Sequence, residues 1–377
     1  MVEDLVTDRA WIEIDLDNLE HNIREIQRII PSNTKIMAVV KANAYGHGMV
    51  SIARKLNEIG IFDFAVATLE EGITLRKNQI QGNILILGYT SIENIKYVVS
   101  YDLIQTIVDM EYASRLSSLG MKIKTQIKVN TGMNRIGILY KEIESIKKIY
   151  QNPLLEVSGI FSHFCVADSG EEEDIAFTHM QIDRFNTVIE ELKRANIMVG
   201  KTHLQSSYGI LNYPECKYDY VRPGIIMYGV DSEKNVYKKQ KLDMKPVLSL
   251  KARVTSVKEI EEGTCIGYGR KYKANQKERI VSVSIGYADG YPRNLSCKGA
   301  KVLINGEYAD VVGRICMDQL MVRTSLIDVK EGDVVTLLGG EDLLSATEIA
   351  SLGDTITNEL FSRLGERLGK DTRKVCK

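Results

Sequence analysis

Over its first two thirds the chain alternates between short, continuously apolar runs and segments with helical spacing of apolar residues. Strands that are covered by helices on both faces of a parallel sheet produce such runs. The runs lie at residues 36–40, 64–67, 84–87, 104–108, 125–129, 157–161 and around His203, with helical segments at 19–30, 50–59, 140–149 and 177–192. Because the residues that could carry chemistry follow these runs directly, we predict a (β/α)8 barrel rather than an open sheet.

The pattern changes near Pro246. Residues 248–255 alternate strictly between apolar and polar, which is the period of a half-buried antiparallel strand. Short β-type runs follow at 280–285, 301–304, 310–315, 319–323 and 334–338, and two short helices at 346–352 and 355–364 close the chain. We therefore predict a barrel domain over residues 1–243 and a mainly β domain over residues 244–377, with a strand near residues 11–15 that packs on the second domain.

Composition excludes several classes of protein. The 377 residues are 44% hydrophobic and 26% charged, which is typical of a globular chain and excludes general disorder. The 49 Lys and Arg residues against 50 Asp and Glu residues leave a formal net charge of -1, so no basic excess favours nucleic acid or an anionic membrane. The acidic amino terminus is not a leader peptide, and the apolar runs are shorter than the ~20 residues of a membrane-spanning helix. We expect a cytoplasmic protein.

Cysteine and histidine usage predicts no metal site. The six cysteines are scattered without a C-x-x-C pair, which favours reduced thiols in a cytosolic compartment. The five histidines are also far apart in the sequence.

Lys41 is the first candidate for chemistry. It follows an apolar run directly, in Val39-Val40-Lys41-Ala42-Asn43-Ala44-Tyr45-Gly46-His47-Gly48. A lysine at the carboxyl end of a barrel strand points into the active-site mouth, where partial desolvation lowers the pKa of the amine and suits it to form a Schiff base. Position alone leaves open the commoner case, a strand-end lysine that points to solvent.

The segment around Lys41 resembles the pyridoxal-phosphate lysine motif of the alanine racemase family. Further segments resemble this family and occur in the family's order. They lie before Lys41 at residues 9–15 and after it at residues 128–135, 162–164, 221–225, 267–269, 286–293 and 313–318. The resemblance covers nearly the whole chain and both predicted domains. It implies a homodimeric amino-acid racemase that uses pyridoxal 5'-phosphate and needs no metal.

The resemblance implies two catalytic bases. Lys41 would bind the cofactor covalently and serve one face of the substrate, and Tyr268 of the other subunit would serve the opposite face, since racemisation removes a proton from one face and returns it on the other. A tyrosine with a pKa near ~10 is a poor base without positive or hydrogen-bonding support. His163 and Arg222 match the positions that provide it, although Tyr268 alone would be read as a surface aromatic.

The same resemblance implies that Arg222 bonds the pyridine nitrogen of the cofactor ring. A guanidinium only donates hydrogen bonds, so it would leave the pyridine nitrogen unprotonated and the ring a weaker electron sink. This limits the lifetime of negative charge on the substrate and disfavours side reactions. His203 matches the residue that braces this arginine.

The remaining implied contacts concern the phosphate, the substrate and the entrance. The phosphate would be held by Tyr45, Ser207 and the backbone N–H groups of Gly224 and Ile225, where Pro223-Gly224 is expected to open a helix. The substrate-binding residues would be Arg135, Tyr287, the Met317 backbone and Asn358, and those of the entrance Asp168, Arg293, Arg314 and Ile356. Lys128 matches a position where the family often carries a carbamylated lysine that orients Arg135.

Three departures from the family pattern stand out. Asn130 replaces the usual aspartate, and Gln205-Ser206 replaces an Ala-Asn pair. Asn358, in Thr355-Ile356-Thr357-Asn358-Glu359-Leu360, replaces a tyrosine that bonds the phosphate and crowds the substrate methyl. Asparagine is smaller and offers a donor and an acceptor, so it would accommodate the hydroxymethyl group of serine.

This third departure makes the chain most similar to the racemase domain of the serine/alanine racemases of vancomycin resistance. In those proteins the domain follows a membrane-embedded domain and supplies D-amino acids for peptidoglycan precursors. The alternatives are an ordinary alanine racemase, a barrel-type pyridoxal-phosphate decarboxylase and a noncatalytic carrier of the cofactor. Arg222 argues against the decarboxylase, and the second domain with Tyr268 argues against a carrier, which would resemble the barrel alone.

Overall fold

The computed structural model describes residues 9–371 except 325, 341 and 366. The described chain begins with strand β1 (Ala10–Ile14) and helix α1 (Leu16–Ile29). Helix α1 buries Leu19, Ile23 and Ile26, one face at helical spacing. Its first turn is capped by the carboxylate of Asp15, which accepts a hydrogen bond from the Asn18 N–H at 2.8 Å.

Eight parallel strands close the predicted barrel. The strands that follow β1 are β2 (Lys35–Val39), β3 (Asp63–Val66), β4 (Asn83–Ile86), β5 (Ile104–Ile107), β6 (Ile123–Asn130), β7 (Ile138–Leu139), β8 (Leu155–Phe161), β9 (Lys201–Ser206) and β10 (Tyr220–Arg222). Strand β10 pairs with β2 and closes the circle, while the short β7 only lies alongside β6. The (β/α)8 prediction is confirmed.

Helices connect the barrel strands on the outside. They are α2 (Lys41–Tyr45), α3 (Met49–Glu58), α4 (Leu69–Lys77), α5 (Ile95–Ser100), α6 (Met110–Ser117), α7 (Ile143–Tyr150), α8 (Glu172–Arg194) and α9 (Ser207–Asn212). Two of them, α2 and α9, begin within two residues of a strand end and therefore lie at the mouth of the barrel.

The second part of the chain is mainly β, as the alternating pattern predicts. It contains β11 (Leu248–Ile260), β12 (Cys265–Ile266), β13 (Tyr272–Lys273), β14 (Glu278–Val283), β15 (Lys301–Ile304), β16 (Glu307–Val312), β17 (Leu320–Arg323), β18 (Val334–Leu338), α10 (Ala346–Leu352), α11 (Thr357–Ser362) and β19 (Gly369–Asp371). Six strands run in the order β14-β17-β16-β15-β18-β11, and an antiparallel pairing of β11 with β14 closes this sheet as well.

Strand β1 joins the sheet of the second part of the chain rather than the barrel. It pairs antiparallel with β11 in a register from Ala10 opposite Ala252 to Ile14 opposite Leu248. Ala10, Ile12 and Ile14 are buried on the inner face of that sheet. The chain then passes through α1 into the barrel, so the two sheets are linked at both ends of the barrel sequence. Among the described residues, no helix combines the length and the apolar character that crossing a membrane requires.

Candidate active site

The carboxyl ends of the barrel strands enclose a cavity of about 480 Å³. Most residues that the sequence predicts for the site line it: Lys41, Tyr45, Arg135, His163, Ser207, Arg222, Gly224, Ile225 and Asn358. Lys128 and the predicted entrance residues Asp168 and Ile356 line it too. The cavity lies where (β/α)8 barrels hold their reacting groups.

Lys41 stands at the start of a left-handed turn. Strand β2 ends at Val39, and the φ angles of Ala42, Asn43, Ala44 and Tyr45 in α2 lie between 50° and 54°. Each non-glycine residue in this conformation costs roughly 1–2 kcal/mol. Such backbone persists only where its surroundings fix it, and it gathers at functional sites.

The electrostatic environment of Lys41 makes its amine more nucleophilic. Burial lowers the pKa of Lys41, the nearby Arg135 lowers it further, and the carboxylate of Glu71 opposes both. The free amine, which is the reactive form, is therefore populated at lower pH than in an exposed lysine.

Arg222, at the end of β10, is the centre of a buried hydrogen-bond cluster. Its guanidinium donates to Nδ1 of His203 at 2.6 Å and to the carbonyl oxygens of Ser162 at 2.7 Å and Leu204 at 3.0 Å. Because a guanidinium only donates, Nδ1 of His203 accepts and its Nε2 carries the hydrogen, which goes to Oε1 of Gln126 at 2.7 Å. Burial lowers the pKa of Arg222 to about 9, so the group remains charged at neutral pH.

His163 lies against Nη2 of the same guanidinium. Its Nδ1 is 3.2 Å from that nitrogen and shares its hydrogens with the carbonyl oxygens of Ser162 and Leu204. Because the guanidinium only donates, Nδ1 accepts and the ring hydrogen is on Nε2. Burial, and then the cations Lys128 and Arg222, hold the pKa of His163 well below its usual value. The ring is neutral, with one donor nitrogen.

Ser207, Gly224 and Tyr45 form a set of hydrogen-bond donors at one end of the cavity. The Ser207 hydroxyl oxygen accepts from the N–H of Gly224 at 3.1 Å and of Ile226 at 3.5 Å, which leaves its own hydrogen to donate. A Cβ at Gly224 would lie 2.7 Å from the Tyr45 hydroxyl, so any larger residue there would displace Tyr45. Burial raises the pKa of Tyr45 to about 12, which keeps it a neutral donor. The helix expected after Pro223-Gly224 is a single 3-10 turn, Ile225–Tyr228.

Lys128 and Arg135 add two basic side chains to the cavity lining. Lys128 is buried with its Nζ 4.8 Å from the centre of the Phe161 ring, and burial together with Arg222 and Arg135 holds its pKa well below the usual value. Asn130, the first departure from the family pattern, folds the loop before Arg135: its Oδ1 accepts from the N–H of Gly132 and of Asn134, both at 3.1 Å.

Asn358 lies in the first turn of α11, and its side-chain oxygen Oδ1 is buried without a hydrogen bond to any described residue. The residue lines the cavity. The turn is held to the barrel by Thr357, whose N–H donates to Ser232 O at 2.9 Å and whose hydroxyl donates to Asp231 O at 2.7 Å. The N–H of Ser232 in turn donates to the Tyr208 hydroxyl at 2.6 Å.

Of Gln205 and Ser206, the second departure from the family pattern, only Ser206 lines the cavity. The Gln205 amide donates to the carbonyl oxygens of Tyr213 at 2.9 Å and Gly209 at 3.3 Å and so holds α9, while Ser206 lines the cavity.

Four predicted site residues do not line the Lys41 cavity of their own chain. His203 is fully buried behind Arg222, and the other three lie on partly exposed loops. Tyr268, between β12 and β13, is 70% exposed, and Tyr287 and Met317 are 39% and 52% exposed. The loops of the last two are joined, because the N–H of Tyr287 donates to Cys316 O at 3.0 Å and that of Ala288 donates to Met317 O at 3.0 Å. The predicted entrance residues Arg293 and Arg314 lie on the same part of the chain, with Arg314 packed against Gly269.

Sequence reasoning missed several residues that support the site. Gln126, which bonds His203, lies in β6, where Lys124, Thr125 and Lys128 are polar as well, so nothing in the sequence singles it out. Glu71 forms a capping box with Thr68, which the spacing Thr-x-x-Glu also indicates, but its bond to the N–H of Ala42 at 2.6 Å is a tertiary contact without a local signal. Tyr208 and Ser232 are likewise identified only by the fold.

Two family models match the chain. "Alanine racemase, N-terminal domain" matches residues 14–232, and "Alanine racemase, C-terminal domain" matches residues 247–371.

Proteins named as racemases are similar to this chain over almost its whole length. The chain is 44% identical to an amino-acid racemase of Enterococcus faecalis over 367 residues, which cover 97% of this chain. It is 42% identical to a serine/alanine racemase of Enterococcus gallinarum over 361 residues, which cover 96% of this chain. The chain spans about half the length of these two relatives, 51% of each. It is also 42% identical to an alanine racemase of Carboxydothermus hydrogenoformans, covering 95% of this chain and 98% of that protein. The solved alanine racemase of Clostridium difficile 630 superposes with a TM-score of 0.91 at 37% identity, over 97% of this chain and 96% of that one.

Proposed function

Because the chain belongs to the alanine racemase family, we propose that it interconverts the L and D forms of a small amino acid with pyridoxal 5'-phosphate as its cofactor. The observation that carries this proposal is the content of one cavity, which holds a desolvated lysine, a buried donor-only guanidinium and a set of hydroxyl and amide donors.

The residues of the cavity fit this cofactor. Lys41 would hold its aldehyde carbon, and Arg222 would face the ring nitrogen. Tyr45, Ser207 and the Ile225 N–H would hold the phosphate, and the Gly224 N–H would turn to it from its bond with the Ser207 hydroxyl. The glycine at 224, where a Cβ would meet the Tyr45 hydroxyl, leaves room for a ligand to approach the backbone. When bound, the cofactor withdraws electrons from the substrate Cα and so makes its hydrogen acidic.

Two bases would then move the proton. The Lys41 amine serves one face of Cα, and Tyr268 of the partner subunit serves the other. Arg222 and His163 support the tyrosine: Arg222 donates to His163 Nδ1, so the hydrogen on His163 Nε2 is available to a phenolate oxygen. The 70% exposure of Tyr268 in a single chain supports its action across a dimer interface.

Arg222 also directs the outcome of the reaction. Since the guanidinium has no hydrogen-bond acceptor, a ring nitrogen that faces it stays unprotonated. Negative charge at Cα is then stabilised only weakly, so return of the proton is favoured over slower side reactions. The same property favours racemisation over decarboxylation as the function of this cavity.

We propose further that L-serine is a substrate beside L-alanine. Overall similarity does not decide this, because relatives named serine/alanine racemase and alanine racemase are both 42% identical. Asn358 does favour it, because it lines the cavity and a rotation of its side chain would bring the unpartnered Oδ1 to a serine hydroxyl. An ordinary alanine racemase, with Asn358 as a neutral change, is the second candidate.

The cellular role we propose follows the same substrate choice. D-Alanine and D-serine made in the cytoplasm would enter peptidoglycan precursors, and precursors that end in D-serine would contribute to vancomycin resistance. Growth of a D-alanine auxotroph that expresses this chain, with and without added D-serine, tests the supply of D-amino acids.

Purified protein tests the cofactor and the reaction together. We expect an absorbance band near the edge of the visible range, loss of optical rotation from L-alanine and L-serine, and a borohydride-stabilised label on Lys41. Lys41→Ala should lose all three, whereas Lys124→Ala, at an exposed lysine, should keep them. A label on another lysine would overturn the assignment of the site.

A further inference from the structure

Glu71 joins the backbone next to Lys41 to a neighbouring barrel strand. One oxygen of its carboxylate accepts from the N–H of Ala42 at 2.6 Å. The other accepts from the N–H of Ala67 at 2.7 Å and of Thr68 at 3.3 Å, just after β3. A single side chain therefore satisfies three backbone donors from two segments at the mouth of the barrel.

Helix capping explains only part of this arrangement. In the capping box of α4, the N–H of Glu71 donates to the Thr68 hydroxyl at 3.3 Å and the Glu71 carboxylate accepts from the N–H of Thr68. That exchange uses one carboxylate oxygen. The bond to Ala42 uses the other oxygen and contributes nothing to the cap.

The turn after Lys41 needs support from outside. Its later N–H groups bond within the turn, from Ala44 to Val40 O at 2.8 Å and from Gly46 to Ala42 O at 3.0 Å. The N–H of Ala42 is instead satisfied by Glu71. Four successive left-handed residues without glycine are costly, so the conformation depends on such external bonds.

A second contact holds the far end of the turn. A Cβ on Gly46 would lie 2.2 Å from the Phe361 carbonyl oxygen, so α11 packs directly on the backbone there. The turn is thus fixed near its start by Glu71 and at its end by α11. Ala42 and Asn43, between these two contacts, are exposed.

We propose that Glu71 is a positioning residue for Lys41: its carboxylate fixes the left-handed turn and thereby the place of the lysine amine in the cavity. The proposal rests on the proposed function only in giving Lys41 a chemical role. The negative charge of Glu71 has a second effect, because it raises the pKa of Lys41 against the effects of burial and Arg135.

Three variants separate positioning from helix stability. Glu71→Gln keeps the size of the side chain but removes its charge and sets an amide NH2 against backbone donors. Glu70→Gln removes the same charge from the exposed neighbour on α4. Thr68→Ala removes the hydroxyl cap of α4 and leaves the Glu71 carboxylate in place.

The first measurement needs no cofactor. Full-length protein treated with hydroxylamine to remove any bound carbonyl compound is labelled at a series of pH values with formaldehyde and cyanoborohydride, and the extent of Lys41 methylation is read by mass spectrometry. We expect the pH midpoint for Lys41 to move to lower pH in Glu71→Gln and to stay unchanged in Glu70→Gln and Thr68→Ala. This result does not depend on whether the protein proves to be a racemase.

The second measurement is turnover of L-alanine by the holoenzyme. We expect kcat/KM to fall at least ~10-fold in Glu71→Gln, because a small displacement of a reacting group costs one to two decades in rate, and to change less than about twofold in both controls. Equal midpoints and equal kcat/KM in Glu71→Gln and Glu70→Gln would overturn the proposal. So would a Thr68→Ala protein that matches Glu71→Gln in both measurements, since the effect would then arise from helix stability.

Discussion

The side-chain oxygen of Asn358 is buried at the cavity and has no hydrogen-bond partner among the described residues. Leaving such an atom unpaired costs about 1–3 kcal/mol, and a new hydrogen bond contributes about 0.5–1.5 kcal/mol. A rotation of the Asn358 side chain would bring this oxygen to the hydroxyl of serine, whereas the methyl of alanine offers no donor. Alanine remains a substrate in this account, because a slightly roomy pocket penalises a methyl group only weakly.

Replacing Asn358 tests this difference. Asn358→Tyr should lower the ratio of kcat/KM for L-serine to that for L-alanine by about one to three decades, at ~1.4 kcal/mol per decade. It should also strengthen cofactor retention, because the tyrosine hydroxyl would add a phosphate donor. Asn358→Leu, which has similar size and no acceptor, should lower the ratio without that gain. A ratio that is unchanged in both variants would reduce the protein to an ordinary alanine racemase.

Individual residues were predictable from the sequence to different degrees. The motif around Lys41 and the segments that carry His163, Arg222 and Asn358 identify those residues, and the structure brings them to one cavity. Glu71 could not be identified in this role, because its bond to Ala42 joins positions far apart in the sequence.

At the scale of elements, α11 carries Asn358 but is fixed by residues of other segments. The Tyr208 hydroxyl accepts from the Ser232 N–H at 2.6 Å and lies 2.8 Å from its Oγ, and the Ser232 carbonyl receives the Thr357 N–H. Tyr208 thereby links the barrel mouth to the first turn of α11. The position of Asn358 depends on this link.

Removing the Tyr208 hydroxyl should therefore alter substrate choice. We expect Tyr208→Phe to lose about 1 kcal/mol of stability and to reduce the preference for serine severalfold, because Asn358 is held less firmly. Tyr150→Phe is the matched control, since its hydroxyl donates to Val199 O at 2.7 Å away from the cavity. We expect both variants to lose comparable stability, and only Tyr208→Phe to change the ratio of kcat/KM for L-serine to that for L-alanine. The same ratio in both variants would contradict the link.

Most strands were predictable from hydrophobic periodicity, whereas four short helices of the barrel, α4, α5, α6 and α9, were not predicted. Strand β10 has three residues, Tyr220–Arg222, too few to show a period, so its hydrophobic pattern does not predict a strand. The left-handed turn in α2 was not predictable either. Ala42-Asn43-Ala44 contains no glycine and would by itself favour a right-handed conformation, so contacts with Glu71 and α11 impose the left-handed one.

At the scale of the whole molecule, two buried neutral histidines make stability depend on pH. Burial and nearby cations hold the pKa values of His163 and His203 well below the usual value in the folded state. In the unfolded chain both protonate near ~6.5. Below that pH the unfolded state binds more protons, so the stabilisation present above pH ~6.5 is lost as the pH falls.

Urea unfolding at pH 7.5, 6.5 and 5.5, values that bracket the free imidazole pKa of ~6.5, should show this loss. Each histidine contributes a slope of up to about 1.4 kcal/mol per pH unit below its unfolded pKa. His203→Gln should reduce the slope, while His179→Gln, at an exposed position, should keep it. A slope that is the same in wild type and His203→Gln would contradict the buried neutral state of His203.

The cavity of a single chain contains only one of the two proposed bases. The sequence predicts both folds from their different periods, but Tyr268 does not line the cavity that contains Lys41. The racemisation that we propose needs both groups at one substrate. The two bases therefore require a site shared between two subunits.

Mixing two inactive variants tests the shared site. Lys41→Ala lacks one base and Tyr268→Phe lacks the other, so neither homodimer has a complete site. After unfolding and refolding together, a heterodimer contains one site with both bases, and we predict that racemisation of L-alanine returns to about a quarter of the wild-type rate, since half of the dimers are mixed and each has one intact site of two. Differently tagged chains verify the heterodimer. Verified heterodimers without activity would contradict the shared site and with it the two-base account.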